Sequence, residues 1–186
     1  MSADQIGFCN YVYRELLSHH SFPKTSNALK EKILESLAEL FSNANLHSKS
    51  DTIATCGQFY PKNHEITFTI ADAGIGIHQN VVNFYQKQGY HYSQNAGQSI
   101  EWAMVDGNTT KNSPGGSGLA ILKEFVKMNK GFIHLVSGEG CYECSENGEF
   151  SRLFYKPFPG TFATVKFRTD DTRSYILSSE NPNTLF

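Results

Sequence analysis

The sequence predicts an α+β domain, a two-layer sandwich with a mixed or antiparallel sheet and helices on one face. Three observations predict it. LKEKILESLAELFSNANLH, from Leu29, carries the spacing of one long amphipathic helix. EITFTIADAG alternates Ile66, Phe68 and Ile70 with threonines, the period of a half-buried strand. After a second clean helix, GLAILKEFVKMNK, the chain turns strand-like in FIHLVSG, SRLFYKP and GTFATVKFR.

In chain order, residues 11–17 read as a short helix, broken around SHHSFPKTSN. Ser26 or Asn27 can cap the long helix, which ends near Leu46. TIATCGQFY (52–60) and EITFTIADAG (65–74), joined by PKNH, read as a hairpin. Residues 76–118 change character, with short helical pieces around 81–85 and 98–105 in a segment otherwise rich in Gly, Asn, Ser and Thr. A segment so long and irregular inside a compact domain is functional or disordered. The next helix puts Leu119, Leu122, Phe125 and Val126 on one face and stops at Gly131. Three strands follow, and the residues after Asp170 read as a poorly ordered tail. The expected organisation is an extension over 1–25, a domain over 26–170 and a tail over 171–186.

With 186 residues, 39% hydrophobic content and a net charge of −2, the chain reads as one soluble globular domain. That charge gives no electrostatic basis for nucleic-acid or anionic-membrane binding. No apolar run approaches the roughly 20 residues of a membrane span. MSADQIGFCNYVYRELL lacks the basic start and apolar stretch of a secretory signal, so a cytoplasmic location is expected. Of the four cysteines, Cys141 and Cys144 form a Cys-x-x-Cys. A zinc site needs a second pair of ligands, and His134 supplies only a third, so reduced thiols in a hairpin are the expectation.

Four short segments can carry a site. In ELFSNANLHS, Glu39, Asn43 and His47 stand four apart on one helix face, where packing would prefer hydrocarbon. They could hold a metal, a water or a phosphate, or form a solvated helix end. In ADAGIGI, Gly74 and Gly76 allow a tight turn and close backbone approach, while Asp72 ends a buried strand as an acceptor. An adenine amino group would satisfy that carboxylate, and so would an ordinary turn closed on its own backbone. In PGGSGLAIL, Gly115, Gly116 and Gly118 run into a helix N-terminus, whose free N–H groups suit a polyphosphate. FPGTFATVKF brings Gly160 and Thr161 into the last strand, which by itself marks only a turn.

In order and spacing the four segments resemble the GHKL superfamily of ATP-binding domains, which includes histidine-kinase catalytic domains, type II topoisomerases and anti-sigma-factor serine kinases. The resemblance spans residues 29–167. It implies a Bergerat-type sandwich that binds ATP with Mg²⁺. By resemblance, Asn43 is the Mg²⁺ ligand, and Asp72 the adenine acceptor, assisted through water by Thr161. Gly74 and Gly76 shape the purine pocket. Gly116, Ser117, Gly118 and the Leu119 N–H form the phosphate loop, and residues 78–117 become the ATP lid. Glu39 matches the general base of topoisomerase-like ATPases and anti-sigma kinases, where most histidine kinases carry asparagine. ELFSNANLHS is most similar to the anti-sigma type, with His47 near the phosphates or structural. Ala120 departs from the glycine of many members, a change a helix tolerates.

The resemblance implies a serine/threonine kinase or slow ATPase acting on a separate protein, possible partners including a STAS-like protein in bacterial regulation, with a homodimer also compatible. A nucleotide-sensing module with little turnover is the alternative. A histidine-kinase catalytic domain acting in trans is a third, against which Glu39 argues.

Overall fold

The computed structural model describes residues 3–105, 108 and 118–180. Helix α1 (Ala3–Tyr11) runs into one π-helical stretch, Val12–Leu17, which buries Val12, Leu16 and Leu17. This helical run begins eight residues earlier than the expected 11–17 helix. Phe8 explains the extension, for it is buried, stacks on Phe41 at 4.3 Å and meets Phe68 edge-on at 6.0 Å. Tertiary packing, absent from the local pattern, holds α1 in place.

Helix α2 (Asn27–His47) starts where its cap predicts, with the Leu29 N–H donating to Ser26 Oγ at 3.1 Å. Leu29, Ile33 and Leu37 are buried on its inner face. Strands β2 (Ile53–Tyr60) and β3 (Glu65–Asp72) form the expected antiparallel hairpin, turned by a short 3₁₀ segment, Pro61–Asn63. Helices α3 (Gly76–Lys87) and α4 (Ala96–Met104) follow, then α5 (Gly118–Met128).

Strands β4 (Phe132–Ser145) and β5 (Gly148–Arg168) replace the three short strands predicted from residue 132 onward. The glycines of SGEGC and the prolines of KPFPG read locally as breaks. The two strands instead stay paired across them, with register shifts between Ser137 and Gly140, and residues 154–157 bow outward between the pairs Gly138–Phe158 and Gly140–Leu153. Bulges absorb the extra residues.

The main sheet runs β2-β3-β5-β4 and is antiparallel throughout; the parallel pairing lies apart, between β1 (Lys24–Thr25) and β6 (Ser174–Tyr175). One face packs Ile66, Phe68, Val165, Phe167 and Ile133 against α2 and α5, the layer arrangement expected of an α+β sandwich. The other face is more polar, with Thr69 bonded to Thr164 at 2.8 Å and Glu65 paired with Lys166.

Residues 171–180 depart from the expected loose tail. Tyr175 is buried, packs edge-on against Phe125 at 5.1 Å, and bonds Asp171, which also holds Arg173. The polar composition concealed one anchoring aromatic. Among the described residues, no helix is long and apolar enough to cross a membrane.

Candidate functional site

Antiparallel register builds the floor of a cleft. Asp72 pairs with Thr161, and Thr161 pairs in turn with Ser137, so three polar side chains cross three neighbouring strands in one row. The adjacent row is apolar: Ile70, Ala163 and Leu135. Asp72, Thr161 and all three apolar residues line one cleft between the sheet and the helices.

The turn after β3 shapes one end of that cleft. Gly74 N–H donates to Asp72 Oδ1 at 2.8 Å, and Ile75 N–H donates to the Ser48 carbonyl at 2.7 Å. A Cβ on Gly74 would stand 2.0 Å from that same carbonyl oxygen, so α2 and the turn close only over glycine. Gly76 has φ +79°, in the left-handed region, and lines the cleft. Ser137 Oγ accepts the Ile77 N–H at 2.8 Å and lies 2.8 Å from Thr161 Oγ1, tying the turn to the sheet. Asp72 therefore closes its own turn and faces the cleft with the same carboxylate. Burial pushes its carboxyl above the ordinary value, against the opposing pull of the Gly74 and Thr161 backbone N–H groups.

Helix α2 forms a wall. Glu39 and Asn43 lie one turn apart, and both line the cleft beside Leu40, Ala44 and Ser48. The side chain of His47 lies outside the described residues. So do Gly116 and Ser117, whereas Gly118 opens α5 and Leu119, buried, reaches the cleft.

The opposite wall is more ordered than the sequence predicts. Helices α3 and α4 take up 21 residues of what reads as a largely irregular lid. An aromatic cluster of Phe84, Tyr85, Tyr92 and Trp102 joins them, with Tyr85 stacked on Tyr92 at 5.0 Å. Asn95 and Gln98 form a reciprocal capping box at the start of α4. Buried Ile100 and Met104 anchor that helix, while Asn80, Val81, Trp102 and Met104 line the cleft. Sequence reading missed Asn80, Met104 and Ser137 as site residues. The alternating pattern of FIHLVSG was the available signal for Ser137, but only register reveals its partner.

The cleft offers a buried carboxylate beside apolar surface, together with a second carboxylate and an amide from α2 and the start of α5. Such a set of groups can take a purine and a metal-bound polyphosphate. A helix-covered antiparallel sheet with this cleft defines the class, a two-layer α+β ligand-binding domain. Residues 28–170 match the histidine kinase-, DNA gyrase B- and HSP90-like ATPase family, and the chain belongs to it. No individually curated protein matches the chain as a relative.

Trp102 on the wall supplies an optical probe. Adding Mg²⁺-ATP should change its emission, since it is the only tryptophan and lines the cleft. An unchanged spectrum at saturating nucleotide would place the ligand elsewhere.

Proposed function

We propose that the domain binds Mg²⁺-ATP in this cleft and transfers the γ-phosphoryl group to a serine or threonine of a separate protein, or slowly to water. The observation that carries this reading is Glu39, a carboxylate one helical turn from Asn43 in the same cleft that Asp72 and Thr161 line. Asp72 accepts from the adenine amino group, with Thr161 beside it. Gly74 and Gly76 give the base room, and Gly118 and Leu119 at the start of α5 receive the phosphates, with Gly116 and Ser117 assigned to the same role by the resemblance alone.

The donors on α2 fit the implied metal. Asn43 and Glu39 offer hard oxygen atoms, and Mg²⁺ prefers oxygen donors combined with substrate phosphates. Asn43 would hold the ion, which when bound neutralises charge on the phosphates. A Glu39 oxygen takes the proton from the attacking hydroxyl as the hydroxyl oxygen bonds to the γ-phosphorus, and the bond to the β,γ-bridging oxygen breaks to release ADP. Asparagine could not accept that proton, which disfavours a histidine kinase in trans.

The resemblance of ELFSNANLHS to anti-sigma kinases favours a cytoplasmic, bacterial regulatory setting with a STAS-like partner. The nucleotide-sensing alternative draws on α3 and α4, which line the cleft and also pack against β4, a route for nucleotide to reshape a surface. Labelled ATP separates the two readings. Transfer to a serine of the partner, or release of inorganic phosphate above background, supports the enzyme; tight binding with neither product leaves the sensor.

Asn43 has its own test. Asn43→Ala should abolish the difference between ATP affinities measured with Mg²⁺ and with a chelator, while ATP affinity in chelator stays near wild type. A preserved difference assigns the ion to another residue.

A further inference from the structure

The Cys-x-x-Cys does not converge on one metal. Cys141 and Cys144 lie three apart on β4, so their side chains leave opposite faces of the strand. Cys144 is buried towards α5, near Lys127 and Tyr142. Cys141, also buried, meets His134 and Glu143 on the other face.

There three different donor atoms form a compact triangle. His134 Nε2 lies 3.2 Å from Cys141 Sγ and 3.8 Å from Glu143 Oε1, and Sγ lies 3.9 Å from Oε1. Tetrahedral zinc with ordinary bond lengths sets its nitrogen, sulfur and oxygen ligands about 3.3–3.6 Å apart. The triangle thus needs shifts of only a few tenths of an ångström to accept an ion. A mere hydrogen-bonded pair would fix one of these edges, not all three.

We propose that His134, Cys141 and Glu143 bind a zinc-class divalent ion on the sheet face opposite the nucleotide cleft. The opposition follows from strand alternation, because Leu135 lines the cleft and its neighbour His134 points away. Nitrogen, thiolate and carboxylate together suit a borderline-soft ion better than Mg²⁺ or Ca²⁺. No fourth His, Cys, Asp or Glu joins the cluster among the described residues, so the fourth position falls to water or to an incoming ligand. Cys141 binds as thiolate, and its proton leaves to solvent.

Arg152 is the opposing charge. Its guanidinium donates to Glu143 Oε1 at 2.6 Å and also lies against the Cys141 sulfur, yet the side chain is 60% exposed and free to turn towards water. Glu143 also has a second oxygen that can keep the arginine while the first meets the ion. The metal would clip β4 across its bulge, since His134 precedes and Cys141 follows the stretch from Ser137 to Gly140. That stretch carries Ser137, which holds Thr161 and the Ile77 N–H on the cleft side.

The test uses the full chain without nucleotide, so failure of the ATP reading leaves it untouched. Zinc is titrated against a chromophoric chelator, and cobalt is added separately as a spectroscopic probe. One equivalent should bind, with a thiolate-to-cobalt charge-transfer band and a rise in melting temperature that grows with free zinc. Cys141→Ser should remove the band, whereas Cys144→Ser should keep it. His134→Ala and Glu143→Gln change partly exposed residues and should fold; each should weaken zinc by more than the about 10–100-fold typical of outer-sphere changes. Zinc affinity unchanged in His134→Ala and Glu143→Gln, or a cobalt band carried by Cys9, Cys56 or Cys144, overturns the site.

Discussion

Glu39→Gln is expected to slow phosphoryl transfer or hydrolysis by about 10²–10⁴-fold, the usual contribution of a positioned general base. The substitution keeps the side chain's length and hydrogen-bonding reach but removes its ability to accept the proton. Glu39 is half-buried on α2, four residues before Asn43, so the amide occupies the same place in the cleft wall. Nucleotide binding should hold or tighten, because one negative charge beside the triphosphate is gone. A Glu39 that only supported the helix would behave in the opposite way, losing melting temperature while the rate per folded molecule survived. Single-turnover consumption of labelled ATP, with the candidate partner present and beside a thermal melt of each protein, separates the outcomes. Equal rates for the two proteins would remove Glu39 from the chemistry and give the lead to the sensing module.

Much of this site was legible because its parts are local. Ser26 capping α2, the four-residue spacing of Glu39 and Asn43, and glycines after a strand that ends in Asp72 all belong to short windows whose periodicity or turn chemistry sequence preserves. What was not legible depends on partners distant in the chain. The row Asp72–Thr161–Ser137 joins residues from three strands, and nothing in FIHLVSG announces that its serine will meet Thr161. The same holds for Phe8 on Phe41 and for Tyr175 on Phe125, single aromatics that fix segments whose composition reads as loose. In the segment read as a lid, residues 78–117, the polar composition dominated the reading. Tyr85, Tyr92 and Trp102 come together only once α3 and α4 lie side by side, turning scattered aromatics into a packed wall. The bulge at Ser137–Gly140 misled in the other direction, since glycines that break an isolated strand are absorbed by a paired one.

Asp72→Asn should lower ATP and ADP affinity alike, by about 10–100-fold, while making the nucleotide-free protein melt at a higher temperature. The affinity loss follows from the hydrogen bond between a charged acceptor and the adenine amino group, worth roughly 1.5–3 kcal/mol, or one to two decades. The stability gain follows from the direction of the carboxyl's shift. Asp72 is only 8% exposed, and burial raises its pKa in the folded protein above the unfolded value. A group shifted that way adds stability below its unfolded pKa and loses it as pH rises through the folded one. At neutral pH the ionised carboxylate is therefore a cost to the empty fold. Asparagine removes the charge and retains an oxygen to accept from Gly74 N–H, so the turn that carries Gly76 should persist. The melting difference should shrink as pH falls towards the carboxylate range, where wild-type Asp72 takes up its proton. Calorimetry and melts across pH decide the matter. A folded Asp72→Asn protein with unchanged nucleotide affinity would take the purine away from this end of the cleft. A variant that melts lower at neutral pH would mean that the turn after β3 needs the charge itself to hold the Gly74 N–H.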